Sequence, residues 1–481
     1  MQRALLILLF AASYLLLAGG VPWTLVPLLG IAALAALTSP ATTFAFRQKT
    51  RPLDLALVAL VAAVAVQMLP LPVGLVAMLS PHAGPITTAV HLTPLGAAPS
   101  SWTTISVNPG STAVALGTVI LGVLSFWIAR SVFSAGGGTR LFCRAIAFLG
   151  ALAAALAVIQ KATAPRSVLF LVVPEARSAS PFGAFVNRNH FAAWLLMVTA
   201  VVGGYCIARL HIHPSRRGRW TESIGQIMSS GAIFTTIAAL GMVGVLLLTL
   251  SRSALAGLGC AAVFGWWLGR PRLRLERTSV PGVLGLLGAI ILMVVLFVDV
   301  DGWASRLGQT FDAGTGFTRL TIWRESMPIV RDFWLTGTGA GTYSDAMKVY
   351  QQTRVWVGSM QQWAHFNNAH SFYMQVASEG GVLVGLPALG TLLAIVVLGW
   401  DAVRADKGEM FWVRVGAFAG LIGVAVQSIW EVALVMPANA ALAGMLTALL
   451  LYQRDVPSTR SDRMTPTPQD LTPIPPVRMA R

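Results

Sequence analysis

Apolar residues in this chain run in long blocks separated by short polar breaks, and the length of those blocks gives the first structural reading. A helix rises about 1.5 Å per residue, so a hydrocarbon core of roughly 30 Å takes about 20 apolar residues per crossing. Twelve blocks come near that length: 4–19, 22–38, 53–79, 112–130, 141–160, 190–209, 231–250, 253–269, 281–298, 372–400, 413–433 and 437–453. The pattern predicts an all-α, polytopic membrane protein of about twelve transmembrane helices, with a long loop, 299–369, between the ninth and the tenth. The first block ends in Ala-Gly-Gly-Val-Pro without a small-residue cleavage site and runs at once into the second, so it reads as an uncleaved helix.

Composition agrees. The chain is 56% hydrophobic and 11% charged, far from the roughly 25% charged residues of soluble domains, which excludes an ordinary soluble enzyme. The net charge of +16 has a topological explanation. If both termini are cytoplasmic, 23 of the 34 Lys and Arg residues fall on the inner side and 11 outside, and the loop 80–111 has none. Loops 80–111, 161–189 and 299–369 therefore lie on the outer side of the membrane. The basic surplus meets anionic membrane lipids, and no nucleic acid partner is required. Residues 1–453 form the membrane domain; 454–481, rich in Pro, Thr, Ser and Arg, read as a disordered cytoplasmic tail. Cys143, Cys206 and Cys260 stand far apart without metal-ligand spacing, so neither a disulfide framework nor a zinc site is implied.

Cations on the outer side run against the orientation bias and so point to anionic ligands. Four clusters fall on that face. In Phe185-Val186-Asn187-Arg188-Asn189-His190-Phe191, Asn187 and His190 share a face if the helix starts there, and Arg188 faces a headgroup-level ligand. Interfacial capping and snorkelling is the plainer reading. In Thr249-Leu250-Ser251-Arg252-Ser253, Arg252 is held at the hydrocarbon boundary, where a guanidinium needs either a protein carboxylate or a ligand phosphate. In the long loop, Arg319 and Trp323 meet if the segment is helical, and Gly337-Thr338-Gly339-Ala340-Gly341 is either an anion-binding nest or a glycine-rich turn. Trp303, Trp323, Trp334, Trp356 and Trp363 offer sugar-stacking faces or interfacial anchors. The fourth cluster runs from His365 through Asn367, Asn368 and His370-Ser371 to Glu379-Gly380-Gly381. His370 sits where loop meets membrane, and an imidazole accepts a hydroxyl proton at neutral pH. Glu379, half a helical turn out of phase, is not its partner; a buried contact with an arginine such as Arg252 suits it better. Gly381 and Gly385 suggest a small-residue packing face.

These motifs resemble those of the bacterial O-antigen ligase and O-antigen polymerase superfamily of integral membrane glycosyltransferases. The resemblance rests on Phe-x-Asn-x-Asn-His-Phe-Ala (185–192), Leu-Ser-Arg-Ser (250–253), Arg-x-x-x-Trp (319–323) with the Gly-Thr-Gly-x-Gly turn, and Asn-x-His-Ser followed by Glu-Gly-Gly. It extends over roughly residues 100–450. The family's ligation signature places a second glycine three residues after the first, and here Gly385 is one residue late.

The resemblance implies a metal-independent, cofactor-free, inverting transfer on the periplasmic face. The donor would be a glycan on undecaprenyl pyrophosphate, and the acceptor lipid A–core or another lipid-linked glycan. His370 would activate the acceptor hydroxyl. Arg188 and Arg252 would clamp the pyrophosphate, with Arg319 a third cation and Asn187, His190 and Trp323 lining the substrate site. A ligase is favoured over a polymerase of surface polysaccharide. A polyisoprenoid-glycan transporter is the reading from another class, weakened by the few ionisable residues in the spans and by the lack of an internal repeat.

Overall fold

The computed structural model describes residues 1–40, 43–44, 46–90, 100–175, 179–212, 232–272, 319–353, 356–357, 362–363, 365–408 and 410–453. The predicted ninth span (281–298), Trp303, Arg177, Arg306 and the tail 454–481 lie outside them. The described chain is overwhelmingly helical: α1 (Gln2–Leu15), α2 (Pro22–Leu37), α3 (Arg51–Val66), α4 (Val73–Leu79), α5 (Ala83–Val90), α6 (Pro109–Ser134), α7 (Gly138–Thr163), α8 (Arg188–Ile212), α9 (Ala232–Leu248), α10 (Arg252–Gly269), α11 (Arg319–Asp332), α12 (Tyr343–Tyr350), α13 (Phe372–Ala405), α14 (Phe411–Gln427) and α15 (Pro437–Leu451).

Apart from block 53–79, each predicted apolar block within the described residues contains one long helix. Among these helices, α6, α7, α8 and α13 are long and apolar enough to cross a membrane alone, and α4 with α5, bent by 118°, would make a fifth as a broken span. Helices α1, α2, α9, α14 and α15 are apolar but shorter. The fold is thus a helical membrane protein, while the figure of twelve crossings rests on the sequence. One boundary is corrected. Block 53–79 is not one span, because α3 stops at Val66 and Pro70 and Pro72 follow. Proline lacks the amide that a helix needs and its ring clashes with the preceding turn. Leu71–Pro72 instead pairs antiparallel with Trp102–Thr103 before the chain enters α4.

Small residues bring the central helices together. A Cβ on Gly204 would meet the Trp412 carbonyl oxygen at 2.3 Å, and one on Gly257 would meet that of Gly423 at 2.5 Å. Along α14, residues 416 and 423 lie against Gly204 and Leu196 of α8, so these two helices run antiparallel. Helix α10 is likewise antiparallel to α14, with Gly269 on Trp412 and Gly257 on Gly423. This register puts the starts of α8 and α10 at the same end of the bundle as residues 427–431.

The opposite end gathers basic residues assigned to the inner side. Arg3 donates to the Gly136 carbonyl, Arg47 to Ser134 Oγ, and Arg272 to the Asp406 carbonyl. Two of these arginines do not serve headgroups as expected. Arg130 is buried and paired with buried Asp54 at 2.8 Å, and Arg414 pairs with Asp406 at 2.6 Å. Of the cysteines, Cys143 and Cys206 are buried and Cys260 is exposed.

The described parts of loops 80–111 and 299–369 are folded. Val107, Ile322, Ile329, Phe333, Tyr343, Ala346, Met347, Phe366 and Ala369 make a second core with Ala83 and Ile86, apart from that of the bundle. Helices α5, α11 and α12 thereby form a cap whose last residues lead directly into His370 and α13.

Candidate active site

The site is built where four chain segments meet at one end of the bundle. The first is the start of α8. Asn187 stands ahead of the helix, its carbonyl accepting from the amides of His190 (3.1 Å) and Phe191 (3.2 Å), and its Oδ1 from the Asn189 amide (2.9 Å). It is therefore a capping residue, and the expected helical face shared by Asn187 and His190 does not form. Capping occupies the amide groups that would otherwise be orphaned at the helix start. The cap directs Asn189 at Glu431, whose Oε1 accepts from Asn189 Nδ2 at 2.7 Å.

The second segment is the start of α11. Arg319 Nη2 donates to the same Glu431 oxygen at 2.7 Å. One turn on, Trp323 Nε1 donates to the carbonyl of Ala369 at 3.0 Å, so the helical spacing of Arg319 and Trp323 holds, with Trp323 tethering the residue before His370.

The third segment is the entry to α13. His370 adopts φ of 46°, left-handed backbone rarely taken by residues other than glycine, and its amide donates to Asn368 Oδ1 at 3.1 Å. Such strain persists only where the surroundings enforce it. Here Ser371 caps α13 and the Phe372 amide donates to the carbonyls of Ser428 (2.9 Å) and Glu431 (3.1 Å). The fourth is the connection 428–436 between α14 and α15, which carries Glu431. Gln427 and Asn439 at its two ends donate to the carbonyls of Asn189 and His190.

Electrostatics follow from this packing. Burial drives the His370 imidazole down to about 4, and the Arg319 guanidinium pushes the same way, so the ring is neutral at pH 7. Burial drives the Glu431 carboxyl up to about 7, against the pull of Arg319, Asn189 and Arg188. Its Oε2 and the buried His190 Nε2 have no hydrogen-bond partner among the described residues. Two orphaned polar atoms beside a strained histidine mark a place for an incoming polar group.

Of the sequence-predicted residues, the structure thus brings Arg188, His190, Arg319, Trp323 and His370 to one site with Asn187 as its cap. Arg252 begins α10 at the same end, exposed, after the cap residue Ser251 and two residues beyond Leu250, whose φ is 54°. Glu431 and Asn189 were not predicted. The available signal was an acidic residue near the end of an apolar block otherwise almost devoid of charge.

Glu379 does not reach Arg252. Its carboxylate accepts from the amides of Gly341 (2.9 Å) and Tyr343 (3.0 Å) and from Gln375 (3.1 Å). The glycine-rich turn therefore cradles an anion, but the anion is the protein's own. Gln67 completes the clasp, accepting from the Ala340 amide and donating to the carbonyls of Thr336 and Glu379. Gly381 is a break in α13 (φ 52°) packed on Trp334 and Leu335, and Gly385 has nothing within 4 Å of a built Cβ, so the expected small-residue face is absent.

Residues 237–389 match the O-antigen ligase family model. The matched stretch contains Arg252, Arg319, Trp323 and His370 and leaves the α8 cap and Glu431 outside. It supports the O-antigen ligase and polymerase superfamily expected from the motifs, and with it a membrane enzyme of glycosyltransferase type. No curated protein matches the chain.

Proposed function

We propose that this chain, through its O-antigen ligase domain, moves a glycan from undecaprenyl pyrophosphate to lipid A–core on the periplasmic face of the inner membrane. The observation that carries the proposal is Glu431: one buried carboxylate holding Arg319 beside a neutral, strained His370, with Arg188 within electrostatic reach.

An acceptor hydroxyl would donate its proton to the His370 ring while its oxygen attacks the anomeric carbon. The bond from that carbon to the pyrophosphate oxygen breaks, and the configuration inverts. Undecaprenyl pyrophosphate leaves with its charge held by Arg188 and Arg252, while Arg319, anchored to Glu431, is the third cation. A ring lowered to about 4 by burial and Arg319 is a weak base by itself. The arriving pyrophosphate corrects this, because a nearby anion stabilises the imidazolium and offsets the adjacent guanidinium. Basicity is thus coupled to donor binding. Lipid pyrophosphate is already a good leaving group, so cationic neutralisation supplies the stabilisation that nucleotide-sugar transferases draw from a metal.

Gene deletion followed by electrophoresis of lipopolysaccharide and exopolysaccharide tests this. Lipid A–core lacking glycan, with long lipid-linked chains accumulating, is the expected result. Core capped by a single repeat, or loss of long exopolysaccharide alone, would identify a polymerase instead, and unchanged glycans would refute both.

A further inference from the structure

At the end of the bundle away from Glu431, a cavity of about 1110 Å³ opens between the end of α13, the α6–α7 turn and the last turn of α15. Its lining divides by chemistry. Leu398, Ala402 and Ala405 on one face of α13, with Met410, supply an apolar wall that is not buried in the bundle core, while the exposed Lys49 and Lys407 supply cations. Arg414 and Asp406 also line it but are bound to each other at 2.6 Å. The remaining acid is Asp401, so the lining keeps a cationic excess. Gly137, with φ of 82°, turns the chain so that α7 starts at the cavity wall, and the positive end of that helix dipole adds to the field.

We infer that this cavity is a lipid site that holds the phosphate headgroup of an anionic phospholipid, with the upper part of its acyl chains on the apolar wall. The inference rests on the membrane reading of the helices. The walls are the ends of apolar helices, where the chain passes from hydrocarbon to water, and a cavity that is apolar on one side and cationic on the other calls for an amphipathic anion. The chain's own residues 454–481 begin at the cavity edge, beyond Gln453, but they carry five arginines against three aspartates. Like charge opposes their entry into a basic cavity. A lipid here would bind the end of α13 to the α6–α7 turn and so fix, from the far side, the helix that begins next to His370.

Native mass spectrometry of the full chain, released from nanodiscs of equal phosphatidylglycerol and phosphatidylethanolamine, tests this. The wild type should retain phosphatidylglycerol in about tenfold preference, equivalent to roughly 1.4 kcal/mol. The pair Lys49→Gln and Lys407→Gln should lose that preference, and the pair Lys49→Arg and Lys407→Arg should keep it. Glycerol phosphate without acyl chains should not displace the lipid. Benzoylphenylalanine in place of Leu398 should crosslink to phospholipid. Equal retention of the two lipids, an unchanged preference in the glutamine pair, displacement by glycerol phosphate, or crosslinking to residues 454–481 would each overturn the inference.

Discussion

Arg319 and Glu431, 112 residues apart, meet at 2.7 Å, the guanidinium half-buried and the carboxylate 1% exposed. The same carboxylate oxygen accepts from Asn189, so one buried acid ties the start of α8 to the start of α11 across the entry to α13. Replacing Arg319 by Ala removes the largest counterweight to burial, leaving Asn189 and Arg188, and the acid moves toward protonation. Transfer should fall by about 10²- to 10³-fold, the cost typical of losing one charge-stabilising donor. Initial rates in membranes, with protein levels matched by immunoblot, measure the effect, and less than a fivefold loss would remove Arg319 from the chemistry.

The pH dependence separates two groups. His370, lowered to about 4, stays neutral throughout the neutral range, while Glu431 ionises near 7. An acid limb in kcat/KM near pH 7 should therefore belong to Glu431 and should flatten in Glu431→Gln, whose residual rate no longer varies there. The stability signs are opposite. A raised carboxyl binds more protons folded than unfolded, so Glu431 contributes stability at low pH that is lost as pH rises from about 4.5 to 7. A depressed imidazole contributes stability at neutral pH that is lost as pH falls from about 6.5 to 4. An acid limb unchanged in Glu431→Gln would contradict the assignment.

Backbone strain at His370 allows stability and activity to be uncoupled. With φ of 46°, His370→Gly removes the ring but relieves the left-handed conformation. It should be as stable as His370→Ala or more so, by about 0.5–1 kcal/mol, and equally inactive. Thermal unfolding in detergent together with a transfer assay tests both statements. His370→Ala and Arg252→Ala should insert in the membrane like the wild type and lose transfer, and activity in either would remove that residue.

The cap over the site depends on the clasp between Glu379 and the glycine-rich turn. A Cβ on Gly337, at φ of 68°, would meet the Glu379 carbonyl oxygen at 2.1 Å. Gly337→Ala should therefore displace the turn at a cost of roughly 1–3 kcal/mol. Glu379→Ala leaves the Gly341 and Tyr343 amides unsatisfied, at about 1–3 kcal/mol each. Limited proteolysis should cut residues 319–371 faster in both variants, and a wild-type digestion pattern would refute this role.

At the far end, Arg130 and Asp54 are both buried and paired, with Thr50 and Trp127 completing the network. Asp54→Ala strands the guanidinium and should destabilise the protein by about 3–5 kcal/mol. Asp54→Asn, which keeps an acceptor for Trp127, should lose less. Thermal melts of the two variants decide it, and equal melting temperatures would contradict the argument.

Much of this was legible in local sequence. Apolar block length located the helices, and the i, i+4 spacing of Arg319 and Trp323 placed both on α11, because these signals act over a few residues. Glu431 was not legible as a partner, since nothing in the local pattern announces a contact with Arg319 or Asn189 more than a hundred residues away. Glu379 suggests an arginine mate because a buried acid calls for a cation; the backbone amides of a tight turn satisfy it instead. The end of α3 was readable from Pro70 and Pro72, but block counting merged the segments on hydrophobicity alone. Asn187 and His190 have helical spacing, yet the cap falls between them and removes the shared face.

The most direct measurement is transfer by the purified chain in liposomes containing an undecaprenyl-pyrophosphate-linked glycan and lipid A–core, with neither nucleotide sugar nor added metal. Glycosylated lipid A–core and released undecaprenyl pyrophosphate should appear in equal amounts with the wild type, and neither with His370→Ala. No product from the wild type, or equal product from the variant, would contradict the proposed transfer.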